Sequence, residues 1–124
     1  MSNEKLAQFA GQSYLNLETY RKTGVPVRTP MWFAEQDGLL YVYTSSTAGK
    51  VKRIRNNSAV RVVPCDVRGN PKGTWVEAKA RLVGHSERQR GLQLLNRKYG
   101  WQKTVIDFFS SLRGRTPVVI AIEI

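Results

Sequence analysis

A mainly β protein, an antiparallel barrel plugged by small helices, is the fold this sequence predicts. Three observations carry the prediction. Segments that alternate apolar and polar outnumber helical ones, tight turns join them, and the chain closes on a valine- and isoleucine-rich run, Thr116 to Ile124. The predicted order is helix, three hairpin-linked strands, helix, two strands, two helices and a final strand.

Leu6, Phe9 and Ala10 recur at helical spacing, which predicts an opening helix over Asn3 to Gly11. Ser13 to Tyr20 alternates, with Leu15 and Leu17 on one side and Asn16 and Glu18 on the other. Arg21 to Gly24 reads as a hairpin loop, with a glycine available for positive φ. Val25 to Glu35 is the second strand. Pro26 and Pro30 cannot donate to a ladder, so this strand is an edge or has one side open to a ligand. Gln36-Asp37-Gly38 makes a tight turn into the third strand, Leu39 to Thr44. A helix from about Ala48 to Asn56 puts Val51 and Ile54 on one face and Lys50 and Arg53 on another.

Ala59 to Val67 is the fourth strand, and Arg68 to Gly73 is a loop of turn formers. Thr74 to Gly84 alternates again, with Val76, Ala78, Ala80 and Leu82 inward. Ser86 and Gln89 have the spacing of a capping box, opening a helix that carries Leu92, Leu94 and Leu95. Tyr99-Gly100-Trp101 interrupts it, either to line a pocket or only to end the helix. Gln102 to Leu112 reads as helical.

The 124 residues suit one domain, 1–124, with a single core. No apolar run approaches the roughly 20 residues that span a bilayer. Met1 to Lys5 lacks a signal peptide's basic then apolar order. The lone Cys65 excludes an internal disulfide framework. A cytoplasmic protein is expected.

The formal net charge of +11 draws anions: nucleic acid, an anionic membrane surface or a small polyanionic ligand. There is no basic tail at either end, which argues against a disordered nucleic-acid arm. The densest cationic stretch is Thr44 to Asn57, where hydroxyls and Gly49 precede Lys50, Lys52, Arg53 and Arg55. No Asp or Glu occurs between Gly38 and Cys65. Helix N-termini and flanking cations attract anions, so the stretch reads as a phosphate clamp, against the plainer reading of a solvated amphipathic helix. It is not a nucleotide P-loop: Thr44 stands in place of the first glycine, and Val51 replaces the magnesium-holding hydroxyl.

On the second strand Val27, Thr29, Met31 and Phe33 share one face, and Arg28, Pro30, Trp32 and Ala34 the other. A planar ring could lie along such a strand. His85 stands alone and no metal-ligand spacing accompanies it, so no metal is expected. The acids are scattered and no Ser-His-Asp or Cys-His pattern can be built. Any chemistry must come largely from a cofactor.

Several segments together resemble the pyridoxamine 5′-phosphate oxidase-like split-barrel family of flavin-binding proteins. They are Thr23-Gly24, Val27 to Phe33, Asp37 to Val42, Gly49 to Asn57, Val60 to Gly69 and Lys98 to Gln102. More narrowly, the chain resembles the small branch of deazaflavin (F420)-dependent enzymes. The resemblance implies a six-stranded antiparallel split barrel of the FMN-binding type. It also implies a homodimer with the cofactor at the subunit interface. Lys50 matches the family's phosphate-binding lysine, and Val51, Arg53 and Arg55 lie in the same basic helix. Arg28, Thr29, Pro30 and Met31 match the strand beside the ring, and Thr44 and Ser45 the hydroxyls on the phosphate side. Trp101 matches a contribution from the second subunit.

FMN and F420 both fit, and the excess positive charge favours the polyanionic tail of F420. The chain is shorter than true pyridoxamine phosphate oxidases, which argues against vitamin B6 oxidation. The implied activity is hydride transfer to or from a small unsaturated or carbonyl compound. The rival readings are a non-catalytic cofactor carrier or haem-related binding protein of the same superfamily, and a nucleic-acid-binding barrel.

Overall fold

The computed structural model describes residues 4–45, 48–99 and 117–124. Its elements are α1 (Glu4–Ala7), β1 (Tyr14–Tyr20), β2 (Pro26–Trp32), β3 (Ala34–Gln36), β4 (Leu39–Ser45), α2 (Gly49–Asn56), β5 (Ala59–Cys65), β6 (Val76–Leu82), α3 (His85–Tyr99) and β7 (Pro117–Glu123). Among the described residues seven strands form one sheet in the order β2-β1-β5-β6-β7-β4-β3, and every pairing is antiparallel.

The two ends of that order, β2 and β3, are neighbours in sequence, separated only by Phe33. The sheet must therefore curl until its edges meet. The second predicted strand is divided at this residue, so the expected six strands become seven. The division has a packing cause: Phe33, 1 % exposed, turns into the core and meets the ring of Phe9 edge-on, with centroids 5.7 Å apart.

Alternation sorts the side chains. Leu15, Leu17, Leu40, Val42, Val60, Val62, Ile120 and Ile122 fill the interior. Val51 and Ile54 of α2 are buried as well. The opposite face of β4 and β7 is covered by α3, where Tyr41, Val119 and Ala121 meet Leu92 and Leu94. Helix and sheet come close enough there that a Cβ on Gly91 would lie 3.0 Å from Val119 Cγ1. This two-sided burial explains the unbroken apolar run of β7.

The β3–β4 hairpin turns on Asp37 (φ 54°) and Gly38 (φ 81°), the left-handed pair a two-residue hairpin requires. Three elements differ in extent from the periodicity. The opening helix keeps α-geometry only over α1 and continues as turns to Gln12. β5 stops at Cys65, because Asp66 accepts hydrogen bonds from the backbone N–H of Arg68 and Asn70 and starts a loop. α3 begins one residue before Ser86: Gly84 C=O accepts from Arg88 N–H, so Ser86 falls inside the first turn and the capping box does not form. The expected helix over Gln102 to Leu112 lies outside the described residues.

Candidate functional site

The curled sheet leaves one seam. β3 pairs with β4 only from Leu39 to Tyr41, so the rest of that β4 edge faces β2 without a ladder. On β2 the ladder's phase is set at the hairpin, where Val25 C=O accepts from Arg21 N–H. Alternation then turns the backbone groups of residues 27, 29 and 31 toward β1 and those of 26, 28, 30 and 32 toward the seam. Two of those four are prolines. The edge therefore offers carbonyl oxygens with only the Arg28 and Trp32 amides as donors, which discourages another strand from pairing while leaving room for a smaller group.

A cleft of about 400 Å³ opens at this seam. Thr29, Pro30, Met31 and Trp32 form its β2 wall, and Tyr43 and Thr44 its β4 wall. Lys50 from the first turn of α2 adds a cation to the lining. Tyr14 and Val67 complete the lining. Tyr14 and Trp32 are opposite each other in the β1–β2 register, and their rings stack with centroids 6.3 Å apart at 30°. The lining combines aromatic and apolar side chains with one cation, Lys50, and the hydroxyl of the buried Thr44.

Burial, and then the charge of Arg53, hold the Lys50 ammonium below the usual lysine range. Burial followed by the charge of Arg21 lowers Arg53 likewise. Among the described residues no carboxylate pairs with either side chain. Arg53 donates from Nε to Thr19 Oγ1 at 2.6 Å, and its guanidinium lies over Gly49. Ala48 occupies the N-cap of α2 without a side-chain cap, and no acid sits in the first turn. Like charges held together on a helix N-terminus favour an anion.

Five of the sequence-predicted residues thus share the cleft: Thr29, Pro30, Met31, Thr44 and Lys50. Ser45 ends β4 beside Thr44. Val51 is fully buried and its N–H is bonded to Ala48 C=O, so its side chain serves the core. Arg55 is exposed. Trp101 lies outside the described residues. Tyr14, Trp32, Tyr43 and Val67 join the lining without having been assigned to it from sequence. The signal for Tyr14 was the hairpin register, which sets it against Trp32.

Arg28 goes elsewhere. Glu18, 0 % exposed, sits opposite Arg28 on β2 and Arg61 on β5. It accepts from Arg28 Nε at 2.7 Å, from Arg61 Nε at 2.6 Å and from the Tyr20 hydroxyl at 2.6 Å. Burial would raise the Glu18 pKa, but the hydrogen bonds from Arg61, Tyr20 and Arg28 outweigh it and hold it at about 2. Both guanidinia also lie over Trp75, 4.8 and 5.3 Å from the ring centroid. The side chain of Arg28 therefore braces β2 against β1, and Arg28 is not among the residues that line the cleft.

Among the described residues no group of three or more His, Cys, Asp or Glu could hold a metal ion, and no helix is long and apolar enough to cross a membrane.

The family profile described as pyridoxamine 5′-phosphate oxidase matches residues 2–123, almost the whole sequence. The chain belongs to the pyridoxamine 5′-phosphate oxidase family. Solved structures agree on the fold of this oxidase family. HutZ, the haem storage protein of Vibrio cholerae, superposes with a TM-score of 0.68 at 18 % identity, covering 99 % of this chain and 90 % of its own. An F420-H2-dependent reductase, FDR-A, gives 0.64 at 15 % identity, with 90 % and 94 % covered. General stress protein 26 of Bacillus anthracis gives 0.62 at 25 % identity, with 95 % and 84 % covered. Among curated proteins none matches the chain significantly. Oxidase-family folds thus accompany both a reductase and a storage protein, and the fold alone does not choose between them.

Proposed function

We propose that the chain is a cytoplasmic oxidoreductase that binds a flavin-type cofactor, F420 or FMN, in the cleft between β2 and β4. The observation that carries this reading is that a stacked aromatic pair, Tyr14 and Trp32, and a half-buried, carboxylate-free Lys50 line the same cleft. That donor set fits a planar ring bearing a phosphate. Lys50, Arg53 and the Thr44 hydroxyl would take the phosphate side, with Ser45 beside them. Thr29, Pro30 and Met31 would flank the ring, and the Arg28 and Trp32 amides would donate to its polar edge.

When bound, such a cofactor supplies hydride transfer to or from a small unsaturated or carbonyl compound. The chain's own residues anchor charge, orient the ring and keep water from the aromatic pair. The described lining contains no carboxylate or imidazole. This favours a second reading, a non-catalytic carrier that uses the same residues to bind and nothing to turn over. In both readings two copies pair so that a partner closes the open side of the cleft, the place in which Trp101 would act.

The deciding experiment titrates cofactor-free protein with FMN and with F420, following ring fluorescence in moderate salt. Tight binding of one of them supports the reading and selects the cofactor. Binding of neither overturns it and returns the cationic helix to the nucleic-acid reading. Turnover of the bound, reduced cofactor by test carbonyl and unsaturated compounds separates enzyme from carrier.

A further inference from the structure

The hairpin that carries the aromatic wall is held at its open end by a side chain from a distant helix. The β1–β2 ladder ends at the pair Tyr14↔Trp32. Lys98, in the last turn of α3, reaches the chain just beyond it. Its Nζ donates to Gln12 C=O at 2.7 Å and to Phe33 C=O at 2.9 Å, and it stands 3.8 Å from the Phe33 ring centroid. Gln12 precedes Tyr14 by two residues, and Phe33 directly follows Trp32.

We propose that Lys98 is a positioning residue for the cleft, its ammonium fixing the Tyr14–Trp32 wall against which a ring ligand lies. The inference rests on the reading of the cleft as a ring-binding site. Three features support it beyond the contacts themselves. Charge-assisted bonds to carbonyls are stronger than neutral ones, so one ammonium bonded to Gln12 and Phe33 ties both chain segments at the end of the ladder. Desolvation draws the Lys98 pKa below the usual lysine value and the charge of Glu35 opposes it, so the ammonium stands partly shielded from water in this corner. Finally, Phe33 is the residue at which the chain crosses from one edge of the sheet to the other, so its carbonyl is the point where a shift of backbone would swing Trp32.

The test uses the full chain with Lys98→Met, which keeps the stem and removes the charge, and Lys98→Arg, which keeps the charge and donors. Two readouts are taken. Acrylamide quenching of Trp32 is measured in a background carrying Trp75→Phe and Trp101→Phe, and affinities for riboflavin and FMN are measured in the otherwise unaltered protein. Lys98→Met should raise Trp32 quenching and weaken riboflavin and FMN by the same factor, about tenfold, because the loss is on the ring side. Lys98→Arg should restore most of both. Unchanged Trp32 quenching and unchanged riboflavin affinity in Lys98→Met, with only the melting temperature lowered, would overturn the proposal in favour of a purely structural lysine. If Lys98→Met does not fold, Lys98→Gln replaces it under the same criteria. Failure of the unaltered protein to bind either ligand would count against the cleft reading, and Trp32 quenching would still decide the role of Lys98.

Discussion

Arg53 folds back along α2 and donates from Nε to the buried hydroxyl of Thr19 on β1, at 2.6 Å. The bond fixes the guanidinium over the first turn of the helix, beside Lys50. A cation placed this way adds to the field around Lys50 without lining the cleft.

That placement depends on Gly49. A Cβ there would lie 2.7 Å from an Arg53 terminal nitrogen, which is the far end of a flexible side chain and can swing away. Gly49→Ala should leave stability unchanged or raised by up to about 1 kcal/mol, since alanine is the better helix former. It should weaken FMN by about two- to fivefold, the size of a field effect of about 0.3–1 kcal/mol, and leave riboflavin unaffected. Parallel titrations with a thermal melt check both parts, and unaltered FMN affinity would remove Arg53 from the phosphate side.

Lys50→Ala should reduce affinity for FMN and F420 by tenfold or more, given about 1.5–3 kcal/mol for a charge-assisted bond, and leave riboflavin almost unchanged. The lowered pKa adds a pH signature. Phosphate affinity should fall with rising pH before the ordinary lysine value of 10.5 is reached, as the ammonium loses its proton. Lys50→Arg should move that fall to higher pH.

Glu18 should govern stability in acid. Its carboxyl titrates at about 2 in the folded chain against an ordinary 4.5. The unfolded chain therefore binds more protons between those values, and the contribution is complete above 4.5 and lost as pH falls toward 2. Its partners Arg28 and Arg61 are 51 % and 37 % exposed, so screening limits the contribution at pH 7 to about 1–3 kcal/mol. Urea denaturation of Glu18→Gln should show that deficit at pH 7 and convergence with the unaltered protein near pH 2. A constant deficit at every pH would mean that packing rather than charge holds the cluster.

Asp37 occupies a left-handed backbone position that asparagine, aspartate and glycine tolerate and β-branched residues do not. Asp37→Val should cost about 1–2 kcal/mol and Asp37→Gly much less, as read from thermal unfolding. Equal melting temperatures for the two variants would mean that the short β3–β4 hairpin contributes little to stability.

What could be read from the sequence was local. Period-two alternation located the strands, and Asp37-Gly38 located a turn whose geometry then followed. The prolines of β2 marked it as an edge because their missing N–H groups are a property of the residues themselves. The break at Phe33 was hidden, since Met31-Trp32-Phe33-Ala34 is apolar throughout and the crossing is imposed by closure with distant strands. The same closure brings β4 to the cleft, so Tyr43 could be assigned only once β2 and β4 were known to face each other, whereas the hairpin register already set Tyr14 against Trp32. The start of α3 was shifted by tertiary contacts: Glu87 is engaged by Arg81 at 2.9 Å and by the Tyr41 hydroxyl at 3.1 Å, partners 6 and 46 residues away.

The crossing at Phe33 also decides how this chain could be cut. A circular permutant opened between Trp32 and Ala34 would keep every ladder but release the covalent hoop that forces the sheet's two margins together. The barrel would be free to spread, exposing bare strand edges of the kind that recruit other chains. New termini placed instead at the exposed Arg21–Gly24 loop would spare the hoop. Comparing the two permutants would separate closure by chain connectivity from closure by packing alone.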